Sequence, residues 1–163
     1  MFYGLDDRPP PGKAVVLGLQ HVLTMFGSTV AVPLLFAPAL WPVAEGVSPE
    51  LAERMGSMQL ANTALLISSV MLCSGIATLL QATFGSRLPI IQGVSFSFLA
   101  AFFGIVASTL AANPVDWTAV ASSAEATEAA LAQWQENGAR AMRVIAGAII
   151  VGGVLEAVVG FTG

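Results

Sequence analysis

Two adjacent polar side chains, Gln20 and His21, stand inside the apolar run GLQHVLTMFGSTVAVPLLF. Polar groups in hydrocarbon are costly unless they are paired. The amide and the imidazole can both donate and accept hydrogen bonds, and the imidazole can also take up a proton. Thr24 and Gly27 share a helical face with Gln20, and such a small, polar face typically turns towards other helices. Two interpretations stay open: the pair joins helices, or it forms the polar wall of a substrate cavity.

A second polar group lies in RLPIIQGVSFSFLAAFFG, where Gln92, Gly93, Ser95 and Ser97 follow Pro89 closely. The residues after the glycine alternate between polar and apolar, which is a strand-like period, and proline and glycine weaken a helix. One interpretation is a short extended stretch that becomes a helix at about Ser95. A half-helix starting there would aim free N–H groups at a ligand. The alternative is a continuous helix whose serines bond to their own backbone.

Glu156 is the only acid inside a long apolar segment. An ionisable group at such a place is a candidate for function, here for coupling to ion movement. Alternatively, its carboxylate reaches the membrane surface or pairs with a group outside this chain. The lone histidine has no metal-ligand spacing around it, and no phosphate loop or nucleophile–base pair is present. We therefore expect no metal, no cofactor and no enzyme activity.

The elements that position these residues are predicted to be membrane-spanning helices. Of the 163 residues, 56% are hydrophobic and 10% are charged, against about a quarter charged in soluble domains. Four segments are free of charge or nearly so, at about 14–40, 58–84, 88–112 and 144–161. Each approaches or exceeds the roughly 20 residues that a spanning helix needs. The net charge of -4 does not indicate a basic surface that would bind nucleic acid.

The topology follows from the basic residues. The polar tail 1–13 contains three consecutive prolines, and the basic residues divide equally: Arg8, Lys13 and Arg87 on one side, and Arg54, Arg140 and Arg143 on the other. The very short connection that holds Arg87 and the usual dominance of the first segment place the N-terminus in the cytoplasm. In the long connection 113–143, the stretch Ser122–Asn137 is predicted to be a short surface helix, with Ser122 or Ser123 as its N-cap.

Several ordered motifs resemble those of the nucleobase–ascorbate transporter family, which contains bacterial uracil and xanthine permeases. They are YGLDDRPP in the tail, LQHVLTMFGSTVAVPLL with its Gln-His pair in the first segment, and RLPIIQGVSFSFL in the third. The resemblance covers the whole chain.

The resemblance implies an all-α membrane fold of fourteen segments in two inverted sets of seven. The third segment of each set would be a short strand plus a half-helix, and substrate would bind between them near the midplane. It also implies a symporter of the plasma membrane that is driven by protons or sodium ions, with protons favoured, and that takes up uracil, xanthine or a related base.

The resemblance also assigns roles to residues. Phe96 would pack against the base and donate its backbone N–H to a base carbonyl, with Ser95 beside it. Gln92 and Gly93 belong to the same motif, while Gln20 and His21 would shape the pocket from the first segment. The carboxylates of segments eight and ten in the family lie outside this sequence. We therefore expect an N-terminal part that does not transport alone and is completed by a C-terminal half or a second copy.

Two other functions remain. One is a related inverted-repeat carrier of anions, which the absence of cationic residues from the first three spans disfavours. The other is a membrane subunit without transport activity, in which Gln20, His21 and Phe96 would tolerate substitution.

Overall fold

The computed structural model describes residues 9–85, 88, 90–118, 120 and 123–162. This part of the chain holds four α-helices and no strand. The helices are α1 (Pro11–Leu40), α2 (Pro49–Phe84), α3 (Leu99–Ala112) and α4 (Ala124–Thr162), and a 3-10 turn, Phe96–Phe98, leads directly into α3. The all-helical fold predicted from the sequence is confirmed.

Helices α1 and α2 both begin at a proline, whose fixed φ suits the first helical position and whose missing N–H is not needed there. At the start of α2, the backbone N–H of Leu51 donates to Ser48 Oγ over 3.3 Å, and Glu50 lies in the first turn. Both features stabilise the positive end of a helix. The helix therefore starts at Pro49, nine residues before the predicted span at about 58.

The local sequence also explains the end of α1 and the turn that follows it. The N–H of Trp41 still donates to Ala37 O over 3.0 Å, and Pro42 then has no N–H to continue the ladder. Gly46 has a φ of 76°, a left-handed conformation that glycine adopts without steric cost. The chain turns here and enters α2 a few residues later.

The third apolar segment is helical in only part of its length. Residues 90–95 have no regular secondary structure, and the helix begins with the turn at Phe96. The predicted break followed by a half-helix is confirmed, with the start close to the expected Ser95; Pro89 lies outside the described residues. Helix α3 has 14 residues, which rise about 21 Å, less than the roughly 30 Å of a hydrocarbon core.

The predicted short surface helix before the fourth span is not a separate element. It forms the first part of α4, which runs for 39 residues, because no proline interrupts the chain between residues 124 and 162. Ser123 acts as the predicted N-cap, since its Oγ accepts the N–H of Ala126 over 3.1 Å. The other predicted cap, Ser122, lies outside the described residues.

Helices α1, α2 and α4 are each long and apolar enough to cross a membrane. The chain divides into two compact units. The first unit is Met1–Leu35 with Asn62–Phe96, and the second is Phe36–Ala61 with Ser97–Gly163. Within its described residues, the first unit contains residues 11–35 of α1, residues 62–84 of α2 and the irregular segment 90–95.

Candidate functional site

The candidate site is the irregular segment 90–95 together with the start of the helix at Phe96, all within the first unit. The first N–H groups of a helix carry partial positive charge and attract a carbonyl oxygen or an anion. The ring of Phe96 is 50% exposed, and Ser95 is exposed beside it. A half-helix start and an accessible aromatic ring therefore occur at the same residue.

Two hydroxyl groups of α2 hold this segment at Gln92. Ser74 Oγ donates to Gln92 O, and the N–H of Gln92 donates to Thr78 Oγ1 over 2.9 Å. Ser74 is only 7% exposed. Neither hydroxyl was predicted to belong to the site. The sequence feature that could have indicated them is the spacing of four between Ser74 and Thr78 within an uncharged segment, which places both on one face of a helix.

Gly93 passes close to α1. A Cβ added at Gly93 would meet one neighbouring atom within 4 Å, Thr29 Oγ1 at 3.8 Å, which is an ordinary van der Waals distance. Thr29 is itself 2% exposed. Pro33, four residues later, cannot donate to the carbonyl of Thr29. Gly93 therefore lies beside Thr29, at the turn of α1 whose hydrogen-bond ladder Pro33 interrupts.

Gln20 and His21 lie nearer the N-terminus of α1, about 12 Å along the helix axis from Thr29. Both are exposed, and His21 Nδ1 lies 3.1 Å from Leu17 O. A carbonyl only accepts, so Nδ1 carries the proton and Nε2 is left as the acceptor in the neutral ring. Thr24 Oγ1 donates to Gln20 O over 2.8 Å, which is a bond within the helix.

Four of the predicted site residues, Gln92, Gly93, Ser95 and Phe96, thus share one segment, whereas Gln20 and His21 lie on α1. The face of Gln20, Thr24 and Gly27, which the sequence predicted to turn towards other helices, is exposed in this structure. The buried part of α1 starts only at Thr29.

Glu156, the predicted coupling residue, belongs to the second unit. It is exposed on α4, as are all its neighbours in 146–162. Two ion pairs among the described residues of this unit lie elsewhere, between Arg143 and Glu136 and between Arg54 and Glu128.

The Arg54–Glu128 pair is bidentate, with Nη1 to Oε1 at 2.5 Å and Nη2 to Oε2 at 3.0 Å. The hydrogen bond from Arg54 holds the pKa of the Glu128 carboxyl below its ordinary value. The same bond raises the pKa of Arg54. Both side chains are exposed, so water and salt screen the attraction.

The connections of the second unit are tied together by side chains that sequence reasoning did not identify. Trp134 Nε1 donates to Pro42 O over 2.8 Å. Asn137 Nδ2 donates to Asn113 O over 2.7 Å. Gln59 Nε2 donates to Trp41 O over 2.7 Å. In each case a helix side chain donates to a carbonyl one or two residues after the end of another helix. Such a long-range pairing has no signature in the local sequence.

A broken third helix between longer apolar helices is a membrane-transporter architecture, and comparison with known proteins agrees. The model of the Permease family matches residues 12–163. The chain belongs to this family, and the predicted relationship to nucleobase–ascorbate transporters is confirmed. It is a multi-pass membrane protein of a transporter family and not an enzyme.

The relatives are much longer than this chain. Solute carrier family 23 member 2 of Rattus norvegicus is 37% identical over 100% of this chain and 22% of its own length. Nucleobase-ascorbate transporter 12 of Arabidopsis thaliana is 37% identical over 100% of the chain and 18% of its own length. The chain thus spans about a fifth of these relatives. No solved structure gives a significant match.

Proposed function

We propose that this chain contributes the N-terminal base-binding segment of a cation-coupled permease that takes up uracil, xanthine or a related nucleobase. The observation that carries the proposal is the helix start at Phe96, which follows an irregular segment within an apolar chain. Irregular backbone at membrane depth is tolerated where it lines a cavity or lies within protein. A flat, neutral heterocycle suits a site made of one aromatic ring and fixed backbone N–H donors.

In this proposal Phe96 stacks on the base and donates its N–H to a base carbonyl, with Ser95 and Gly93 beside it. Gln20 and His21 line the path from α1, where the Nε2 acceptor of His21 can take up a proton. Glu156 is the second candidate for coupling. The N-terminus is cytoplasmic, the membrane is the plasma membrane, and the driving ion is the proton.

The test is uptake by cells that lack their own base permeases. The cells express either this chain alone or this chain joined to the C-terminal remainder of the Arabidopsis relative. Radiolabelled uracil, xanthine and ascorbate are supplied separately, because that relative's name includes both substrate classes. We expect no uptake by the chain alone. In the joined protein we expect base uptake that a protonophore abolishes and that Phe96→Ala and His21→Ala reduce at unchanged surface expression.

Each other outcome has a definite meaning. Uptake of ascorbate without uptake of either base would mean that the substrate is ascorbate and not a nucleobase. Base uptake that persists in the presence of a protonophore and requires sodium would mean that the driving ion is sodium and not the proton. If Gln20→Ala, His21→Ala and Phe96→Ala all leave uptake at the parent level, the segment is not the base site and the subunit function gains support.

A further inference from the structure

The backbone of Gln92 is held at both of its polar groups by a single helix. Its carbonyl accepts from Ser74 Oγ, and its N–H donates to Thr78 Oγ1 over 2.9 Å. Ser74 and Thr78 lie one turn apart on α2, so the N–H end of Gln92 faces the later turn and the carbonyl end faces the earlier one. The irregular segment therefore runs antiparallel to α2 at this residue.

Other hydroxyl groups of α2 behave differently. Ser68 Oγ, Ser69 Oγ and Thr83 Oγ1 each donate to the carbonyl four residues back, over 2.8, 2.8 and 2.6 Å. This is the usual bond of a hydroxyl within a helix. Ser74 and Thr78, in contrast, both bond to the same residue outside α2. These bonds satisfy two backbone groups that would otherwise be unpaired at membrane depth, where water is absent.

We propose that Ser74 and Thr78 are positioning residues that fix the irregular segment to α2 and thereby set the place of the Phe96 N–H. The inference rests on the proposed function, in which that N–H binds the base. Phe96 follows Gln92 by only four residues, so movement at Gln92 is passed directly to the start of the helix. A fixed segment presents its donor in one position, and a loosened segment must be ordered again each time a base binds.

The expected effect is on affinity rather than on maximal rate. When only a fraction of the molecules holds the binding-competent arrangement, the apparent affinity falls by that fraction. An effect confined to structure would instead lower the amount of folded protein and leave the KM of the remaining molecules unchanged. KM and maximal rate, determined separately, therefore distinguish the two roles, because a positioning role raises KM and a purely structural role lowers only the maximal rate.

The central variant is Thr78→Val, which keeps the shape of the side chain and removes the oxygen that accepts the Gln92 N–H. Thr78→Ser keeps the hydroxyl and serves as the conservative rescue. Thr83→Val is the matched control, because it removes a threonine hydroxyl of the same helix that bonds only within the helix. Ser74→Ala, with Ser69→Ala as its control, tests the carbonyl side in the same way.

Two measurements are made on each variant, in whichever form of the protein shows uptake. The first is the KM for uracil or xanthine at equal surface expression. We expect Thr78→Val to raise the KM about 10-fold, as the loss of one part-buried hydrogen-bond partner allows, while Thr78→Ser and Thr83→Val stay near the parent value. The second is amide hydrogen exchange of residues 90–96, which Thr78→Val is expected to accelerate.

A KM for Thr78→Val equal to that of Thr83→Val, with normal expression, would overturn the positioning role. If the parent protein takes up no base, the proposed function fails, and hydrogen exchange then decides the structural part on its own. Faster exchange at Gln92 in Thr78→Val, but not in Thr83→Val, would support the attachment to α2, and unchanged exchange would refute it.

Discussion

The two units of this protein bury different kinds of side chain. In the first unit, the buried positions include the hydroxyl residues Thr29, Thr63 and Ser74. The second unit buries an apolar core that includes Leu40, Met55, Trp134 and Ala141. In the first unit, Thr29 and Ser74 thus lie at an irregular segment inside an apolar chain. The other unit resembles the packed interior of a soluble domain, which holds helix ends in place.

The largest stability effect is expected in the second unit at Gly138. A Cβ there would come within 2.7 Å of Trp41 Cδ1 and closer still to Nε1. Trp41 is 7% exposed, so its rigid indole has little room to move. Gly138→Ala is expected to lower the free energy of unfolding in detergent micelles by about 1–3 kcal/mol.

The control for this variant is Gly152→Ala on the same helix, where an added Cβ would meet nothing within 4 Å. Its stability should stay the same or rise by a few tenths of a kcal/mol, because alanine favours helices more than glycine does. Equal stability of the two variants would mean that the second unit is not tightly packed at Trp41.

A smaller loss is expected for Trp134→Phe. The variant keeps an aromatic ring but removes the Nε1 donor to Pro42 O, at a residue that is 3% exposed. Because this hydrogen bond is only part-buried, its loss is expected to cost about 1 kcal/mol. Thermal unfolding measures the loss of stability. A variant that unfolds at the same temperature as the parent protein would show that water replaces the indole N–H at this carbonyl.

The Arg54–Glu128 pair should contribute less, and its contribution depends on pH. Because the pKa of Glu128 is lower in the folded protein than when unfolded, the pair stabilises above the ordinary carboxyl pKa. This stabilisation is lost as pH falls through the lowered, folded value. Comparing the parent with Glu128→Gln by thermal unfolding should show a difference at neutral pH that shrinks in acid and at high salt. A difference that is constant with pH would exclude the ion pair as its source.

The smallest stability change is expected in the first unit, at Gly93. A Cβ there would lie 3.8 Å from Thr29 Oγ1, so Gly93→Ala fits without displacement. If a base approaches this backbone closely, the variant should nevertheless reduce base uptake at unchanged stability and expression. Full uptake by Gly93→Ala would mean that the base does not contact residue 93.

The sequence allowed the helical membrane fold and the break in the third segment to be predicted from local properties. The lack of charge marked the spans, and the glycine and alternating polarity after Gln92 marked the break. Ser123 could also be identified as a helix cap from the local sequence. The bonds from Ser74 and Thr78 to Gln92 could not be predicted, since they join residues 14 or more positions apart. The continuity of α4 was missed because its charged first part was interpreted as a separate surface helix.

The measurement that tests the central claim most directly is protection of the helix start by substrate. The protein carries Ser95→Cys in a Cys73→Ser background, because Cys73 is a free, exposed thiol. The rate of labelling by a small maleimide is followed with increasing uracil or xanthine. Ser69→Cys, at an exposed position of α2, is the reference. We predict that the transported base slows labelling at residue 95 in proportion to occupancy and leaves residue 69 unaffected. Equal labelling at residue 95 with and without a base that the protein demonstrably takes up would contradict the account.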